Sequence, residues 1–222
     1  VIPVKAVVET PDGVRAEVIK FSGDDPDITN GVSVFTTVKM LDGHQGIVFR
    51  AGEGVGTVTK RGMSLPVGEP SINKGPRELI RRVVSEMTGQ EDFGAEVTIA
   101  IPEGVELAKK TLNPVLGIEG GISVIGTTGV LRPMSEEAFK DSLVPQIDVA
   151  LASGEDVLVF VPGKIGERIA LALGISQAAI IETSNFIGFM LDRAAERGAK
   201  GVLILGHTGK LVKIAAGGFH TH

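Results

Sequence analysis

The residues of this chain best suited to chemistry lie where short apolar runs end in glycine and small polar side chains. Hydroxyl, amide and backbone N–H groups in such places can bind a ligand, and a histidine can carry a proton near neutral pH. The residues with these properties are Thr127, Thr128, Gly129, Ser184, Asn185 and His207. We predict that they line a ligand site.

Four strand–turn–helix units are predicted to position these residues. Apolar runs at 120–125, 156–161, 178–181 and 202–205 each break into a turn, and each turn is followed by a helical pattern. Consecutive units of this kind predict a parallel sheet covered by helices. Ligands bind such sheets in the crevice beyond the carboxyl ends of the strands, where the polar residues fall.

Each polar group also has a purely structural explanation. Thr183, Ser184 and Asn185 form a good helix N-cap cluster. His207 is equally well explained as a histidine hydrogen-bonded within a turn, and residues 126–129 as a plain turn of small residues. No partner acid for His207 is visible in the sequence, so both interpretations stay open.

The first half of the chain has a different pattern. Turn signals at Asp12-Gly13 and Asp42-Gly43 separate β-type runs and predict two hairpins, which helical patterns and one more strand follow. We therefore predict an α/β protein with two domains. Residues 1–117 would form an α+β domain, and residues 118–222 a Rossmann-like domain with a parallel sheet flanked by helices.

Residues 52–60 form the richest glycine stretch. Gly54 and Gly56 would let backbone N–H groups approach a ligand, and Lys60 could meet an anion. No helix pattern follows this stretch, which excludes both a dinucleotide fingerprint and a phosphate-binding loop. The stretch is either a bulged structural loop or a loop that lines a ligand.

The composition excludes several classes of site and partner. The 222 residues contain no cysteine, carry a net charge of −5 and are 43% hydrophobic. Thiolate metal sites and disulfides are therefore excluded, and nucleic acid is not expected as the main partner. No apolar run reaches the roughly 20 residues of a spanning helix, so we expect no membrane association and a cytoplasmic protein. The sequence leaves the oligomeric state open between a monomer and a homo-oligomer.

We predict no metal site. Asp24, Asp25 and Asp27 lack the glycine and distal glutamate of a calcium loop, and a solvated turn explains them better. His220 and His222 have a spacing that could place both on one face of a strand, but no third ligand is evident.

Several motifs, in their order and spacing, are similar to those of a known family. They lie at residues 23–27, 51–60, 68–73, 107–114, 120–129, 132–135, 184–188 and 206–222. On these motifs the chain resembles the cobalt-precorrin-5B C-1-methyltransferase family of the anaerobic cobalamin (vitamin B12) pathway. The resemblance covers nearly the whole chain.

The resemblance implies methyl transfer from S-adenosylmethionine to C-1 of cobalt-precorrin-5B, a cobalt-containing tetrapyrrole, giving cobalt-precorrin-6A. The predicted methyl-donor residues are then Thr127, Thr128, Gly129, Ser184 and Asn185, with His207 or Glu53 as the candidate base. The glycine stretch with Gly54 and Gly56 would cover the macrocycle. Basic residues would bind its carboxylates, and the candidates are Lys60, Lys109, Lys110, Arg132, Lys164 and Lys210.

Two other functions stay open at this point. One is an α/β enzyme that uses another nucleotide, such as a dehydrogenase or a kinase, although the corresponding fingerprints are missing. The other is a non-catalytic module that binds a corrinoid. The usual glycine-rich methyl-donor motif at the start of a helix is also absent from this sequence.

Overall fold

The computed structural model describes residues 2–23, 27–43, 45–89, 93–126 and 136–221. The chain divides into two compact units. The first comprises Val1–Thr59 and Ser64–Pro133, and the second comprises Lys60–Met63 and Met134–His222. Both contain helices and sheets, which confirms the mixed α/β class.

The first unit is built mainly on a five-stranded sheet. The strands of the whole unit are β1 (Val4–Thr10), β2 (Gly13–Ile19), β3 (Ser33–Met40), β4 (Gly46–Ala51), β5 (Gly54–Val55), β6 (Thr57–Val58), β7 (Gly94–Ala100), β8 (Ile118–Glu119) and β9 (Gly121–Ile122). Its helices are α1 (Lys74–Thr88), α2 (Gly104–Ala108) and α3 (Asn113–Leu116). The large sheet has the order β1-β2-β3-β7-β4, and the short strands pair as β5-β9 and β6-β8.

One of the two predicted hairpins is confirmed. β1 and β2 pair in antiparallel fashion around the turn at Gly13, whose φ of 122° suits glycine. The second predicted hairpin is wrong, because β7 lies between β3 and β4. β7 pairs with β3 antiparallel and with β4 parallel. A turn signal at Asp42-Gly43 therefore reverses the chain without joining neighbouring strands.

The second unit contains a three-stranded parallel sheet. Its strands are β10 (Val157–Val161), β11 (Ile180–Glu182) and β12 (Gly201–Ile204), in the order β11-β10-β12. Its helices are α4 (Glu136–Leu143), α5 (Pro145–Ala152), α6 (Lys164–Ala172), α7 (Ile187–Glu196) and α8 (Thr208–Ala215). One turn of 3-10 helix, Gln177–Ala179, precedes β11. Three of the four predicted strand–turn–helix units are thereby confirmed.

The fourth predicted unit has a different partner. Gly121 and Ile122 pair with Gly54 and Val55, which lie in the first unit. Our predicted boundary between residues 117 and 118 therefore falls inside the first unit, whose second segment runs on to Pro133. An apolar run indicates a strand, but it carries no information on which strand it pairs with.

The second unit has a dense apolar core. β10 is the central strand, and Leu158, Phe160 and Val161 are at most 1% exposed. A strand that is covered on both faces has a nearly continuous apolar sequence of this kind. Ile147 of α5 and Met190 of α7 are fully buried and contribute to the same unit.

A buried amide closes one edge of this sheet. The side chain of Gln146 accepts a hydrogen bond from the backbone N–H of Glu182 at 2.9 Å and donates to its carbonyl oxygen at 3.1 Å. Gln146 thus takes the place of a neighbouring strand at β11. This contact satisfies backbone groups that an edge strand would otherwise expose.

Within the residues that the structure describes, no helix has both the length and the apolar character needed to cross a membrane.

Candidate functional site

A lysine links the segments that follow the strands at the carboxyl edge of the parallel sheet. Nζ of Lys210, on α8, donates to the carbonyl oxygen of Pro162 and to Oδ1 of Asn185, both at 2.9 Å. Pro162 directly follows β10, Asn185 lies three residues after β11, and α8 follows β12. One side chain therefore connects the ends of all three strand–helix units.

Asn185 is fixed from two directions. Besides Lys210, its Oδ1 accepts from Oγ1 of Thr221 at 3.4 Å, and its carbonyl oxygen accepts from the Thr221 N–H at 3.0 Å. Within the described ranges, the amide nitrogen of Asn185 has no acceptor at hydrogen-bond distance. The residue can therefore donate to a ligand while its oxygen stays bound to the protein.

The two residues before Asn185 have unusual environments. Ser184 has a φ of 52° and is, among the described residues, the one non-glycine residue with positive φ. Thr183 is fully buried, and its hydroxyl has no hydrogen-bond partner in the described part of the chain. Strained backbone and unsatisfied buried hydroxyls are both uncommon and cluster at functional sites. The sequence placed Thr183 in the N-cap cluster but gave no sign that its hydroxyl would be buried.

His207 caps a helix. Its Nδ1 accepts a hydrogen bond from the backbone N–H of Gly209 at 3.1 Å, at the start of α8. A neutral imidazole that accepts at Nδ1 carries its proton on Nε2. The structural interpretation of His207 is thus supported by a defined contact, and its role as a base stays a prediction.

Lys164 lies at the same edge but is paired with acids. Its Nζ is 2.9 Å from Oε2 of Glu167 and 3.2 Å from Oε2 of Glu182. The hydrogen bond with Glu167 and the nearby Glu182 charge raise the pKa of Lys164. Its charge is therefore kept, but two carboxylates already compete for it.

The structure thus brings five predicted site residues to one edge of the parallel sheet. The five are Lys164, Ser184, Asn185, His207 and Lys210. Glu53, Lys109 and Lys110 are exposed residues of the first unit, and Lys60 belongs to the second. Lys109 pairs with Glu106 at 2.6 Å. Four further predicted residues lie outside the described residues: Thr127, Thr128, Gly129 and Arg132.

The glycine stretch is explained by close packing within the first unit. Gly54 has a φ of 76°, and a Cβ there would lie 1.7 Å from the carbonyl oxygen of Ile101. A Cβ on Gly56 would lie 2.4 Å from Cγ2 of Ile118. Both glycines are buried. The structural interpretation accounts for both residues, and their contact with a substrate stays a prediction.

Of the residues weighed as metal ligands, Asp24, Asp25 and His222 lie outside the described residues, and Asp27 is held by contacts within the protein. Asp27 forms an ion pair with Lys20 at 2.5 Å and accepts from the backbone N–H of Thr29 at 2.7 Å. Burial raises the pKa of Asp27, but the hydrogen bonds from Lys20 and Thr29 outweigh it and lower the pKa to about 2. In the described ranges, no group of three or more His, Asp or Glu side chains could hold a metal ion.

Fold and edge together define an α/β protein with a candidate ligand site on a parallel sheet. The sequence model of the CbiD family matches residues 1–133. This is more than half of the chain, and the chain belongs to the CbiD family. The resemblance seen in the motifs is thereby confirmed.

Curated relatives carry a consistent name. The cobalt-precorrin-5B C(1)-methyltransferase of Methanocaldococcus jannaschii is 50% identical over 223 residues, which cover 100% of this chain and 61% of the relative. The protein of that name from Moorella thermoacetica is 53% identical, with 94% and 56% covered. That from Desulfitobacterium hafniense is 48% identical, with 100% and 57% covered. The chain therefore spans about three fifths of the length of these relatives.

A solved structure also matches. It is the crystal structure of the cobalamin biosynthesis protein cbiD from Archaeoglobus fulgidus, which is 28% identical. The match covers 92% of this chain and 64% of that one, with a TM-score of 0.40.

Proposed function

We propose that this chain carries out S-adenosylmethionine-dependent methylation of C-1 of cobalt-precorrin-5B, giving cobalt-precorrin-6A in anaerobic cobalamin biosynthesis. Membership of the CbiD family and the names of the curated relatives support this function. The substrate is then a cobalt-precorrin tetrapyrrole, and the protein acts in the cytoplasm.

We propose further that the second unit is a Rossmann-like domain and that its carboxyl edge holds the methyl donor. The observation that carries this assignment is the bridge from Lys210 to Pro162 and Asn185. It fixes the ends of the strands at the place where parallel sheets bind ligands. Asn185 and Ser184 are the described residues of this site. Thr127, Thr128 and Gly129, which lie outside the described residues, stay proposed donor-binding residues.

Methyl transfer requires that the two reactants are aligned and that water is kept out of the site. A sulfonium donor supplies an already activated methyl group, and the ring carbon is the nucleophile. The residues of the chain must therefore orient the reactants in line and exclude water. The amide nitrogen of Asn185 and Nε2–H of His207 both donate, which suits an acceptor oxygen such as a carboxylate. His207 can take up a proton at Nδ1 once the cap on Gly209 is released, or at Nε2 after its imidazole changes tautomer, which also releases the cap. Glu53 is the other proposed base.

The basic residues divide into two groups under this proposal. Lys210 has an internal role, because both of its observed contacts are to the protein. Lys164 and Lys109 already contact carboxylates of the chain. We therefore expect Lys210, Lys164 and Lys109 to contribute little to binding the carboxylates of the substrate. Lys60, Lys110 and Arg132 stay proposed substrate-binding residues.

Calorimetric titration of the chain with S-adenosylhomocysteine tests the donor site. We expect micromolar binding that weakens about tenfold in Asn185→Ala, because a hydrogen bond to a charged group is lost. Gln177→Ala, an exposed amide in the same unit, is the matched control and should bind as the wild type does.

Three outcomes would contradict the proposal. Absence of binding would remove the donor site from this chain. Strong binding of NAD or ATP in its place would favour an enzyme that uses another nucleotide. Tetrapyrrole binding without S-adenosylhomocysteine binding would favour a non-catalytic corrinoid module.

A further inference from the structure

The second unit contains an aromatic pocket beside the carboxyl edge of its sheet. It is an open concavity with a volume of about 500 Å³, in the range of small-molecule sites. Its walls include four aromatic rings and two charged side chains: Phe186, Phe189, Phe219, His220, Lys140 and Asp192. Phe186 directly follows Asn185, so the pocket adjoins the candidate donor site.

The rings of this pocket are held in defined positions. Phe186 is 9% exposed and packs edge-on against Phe139, with ring centroids 5.7 Å apart. The ring of His220 lies 5.3 Å from that of Phe186 at an angle of 33°. In contrast, Phe219 is 47% exposed, so part of its side chain stays accessible to a ligand. A flat, π-rich ligand would cover these ring faces.

One wall is built by the last residues of the structure. The carbonyl oxygen of Phe219 accepts from the backbone N–H of Gly188 at 3.1 Å, in the first turn of α7. A Cβ on Gly188 would lie 2.8 Å from Cβ of Phe219, so glycine is what permits this approach. Thr221 is buried and bonds to Asn185. The wall is thus formed by backbone contacts before any ligand arrives.

The charged groups discriminate between ligands. Lys140 pairs with Glu136 at 2.7 Å, and Arg193, next to Phe189, pairs with Glu196 at 2.7 Å. These cations are already paired, and a phosphate would also meet the carboxylate of Asp192. A neutral ligand with hydroxyl groups fits better, because a carboxylate accepts strong hydrogen bonds from hydroxyls.

We propose that this pocket binds a purine nucleoside without phosphates, with the base among the aromatic rings and the ribose hydroxyls on Asp192. The inference deepens the proposed function, on which it rests, since the adenosine part of the methyl donor is such a group. Asp192 and Phe219 then determine specificity for the donor.

Calorimetric titration of the full chain with adenosine, 2′,3′-dideoxyadenosine, adenosine monophosphate and S-adenosylhomocysteine tests the pocket. We expect adenosine to bind more tightly than 2′,3′-dideoxyadenosine, which lacks the ribose hydroxyls. We also expect it to bind more tightly than adenosine monophosphate, which carries a phosphate. Asp192→Ala should weaken adenosine and S-adenosylhomocysteine about tenfold and leave dideoxyadenosine unchanged, because the lost contact is to the ribose hydroxyls. Phe219→Leu should weaken all of these ligands, since the stacking face is lost.

Asp156→Ala is the matched control, because Asp156 is an exposed aspartate of the same unit that precedes β10 at the opposite edge of the sheet. Melting curves would verify that the variants fold. If wild-type chain binds S-adenosylhomocysteine and both pocket variants bind it equally well, the pocket is rejected while the proposed function stands. Tighter binding of adenosine monophosphate than of adenosine would also overturn the pocket. If the wild type binds neither adenosine nor S-adenosylhomocysteine, both proposals fail.

Discussion

The ammonium group of Lys210 donates to the side-chain oxygen of Asn185 at 2.9 Å, across 25 residues of sequence. The same ammonium group donates to the carbonyl oxygen of Pro162. A residue that we had predicted to bind substrate is thus already bound within the protein, and its contacts orient a neighbour that can still donate.

Removal of the bridge should lower stability and loosen Asn185. We expect Lys210→Met to reduce the free energy of unfolding by about 1–2 kcal/mol, since two hydrogen bonds from a charged donor are lost. Lys200→Met, which breaks an exposed ion pair with Asp156, should cost no more than about 0.5 kcal/mol. Denaturant titration measures both variants.

The double variant Lys210→Met with Asn185→Ala distinguishes a shared contact from two separate ones. We expect the two effects to be non-additive, with the double variant losing little more than Lys210→Met alone. Strict additivity would show that the contact between these two residues contributes nothing to stability.

Ser184 should separate stability from binding. Its φ of 52° is costly for a residue with a side chain, so Ser184→Gly should stabilise the fold by about 0.5–1 kcal/mol. The same change removes a hydroxyl from the proposed donor site and should weaken S-adenosylhomocysteine binding. Thermal melts and calorimetry on one preparation measure both effects. A stabilised variant with unaltered affinity would remove Ser184 from the site.

Gly166 should resist replacement although it lies inside a helix. A Cβ at this position would lie 2.1 Å from the carbonyl oxygen of Leu205, at the end of β12. Helix propensity favours alanine by about 1 kcal/mol, but overpacking against backbone costs about 1–3 kcal/mol, and we expect the clash to dominate. Gly209→Ala in α8 is the control. Its nearest neighbour is the His207 ring at 3.3 Å, a side chain that needs to shift by only a few tenths of an ångström. We therefore expect that variant to lose much less stability than Gly166→Ala in denaturant titration.

Asp27 should make stability depend on pH in the acid range. Its pKa in the folded chain is about 2, below the usual 3.8. A lowered pKa stabilises the fold fully above the usual value, and that contribution is lost as the pH falls from about 4 toward 2. Allowing for partial exposure, we expect Asp27→Asn to cost about 1 kcal/mol at pH 7. The gap between wild type and variant, followed by denaturant titration, should close near pH 2. A gap that stays constant from pH 5 to pH 2 would contradict the ion pair with Lys20.

Local sequence patterns could predict the elements whose conformation depends mainly on their own residues. The apolar run before Pro162 and the turn at Gly13 each have one favourable conformation in their own sequence, and both were predicted correctly. The position of β7 between β3 and β4 was not predicted. Strands that pair across more than 40 residues carry no signal in their own sequences that identifies the partner. The pairing of β9 with β5 was missed for the same reason.

The candidate site shows the same limit. The polar residues at strand ends could be found, since sheet topology brings carboxyl ends to one edge. The roles of Lys210 and Gln146 could not be predicted, because each depends on partners far along the chain. Nor did the sequence indicate that Phe219 would face a pocket, since an isolated phenylalanine near glycines fits many environments.

The contacts of Phe219 and Thr221 also bear on how the protein is made. The carbonyl oxygen of Asn185 accepts a hydrogen bond from Thr221, and the backbone N–H of Gly188, in the first turn of α7, donates to Phe219. Both partners lie more than 30 positions later in the chain. During synthesis, β10 and β11 can therefore pair while this corner of the unit is still unfinished. The pocket and the fixed form of Asn185 arise only once the segment around Thr221 has emerged from the ribosome. The proposed ligand contacts of Asn185 therefore depend on a segment that is synthesised after the strands beside which they lie.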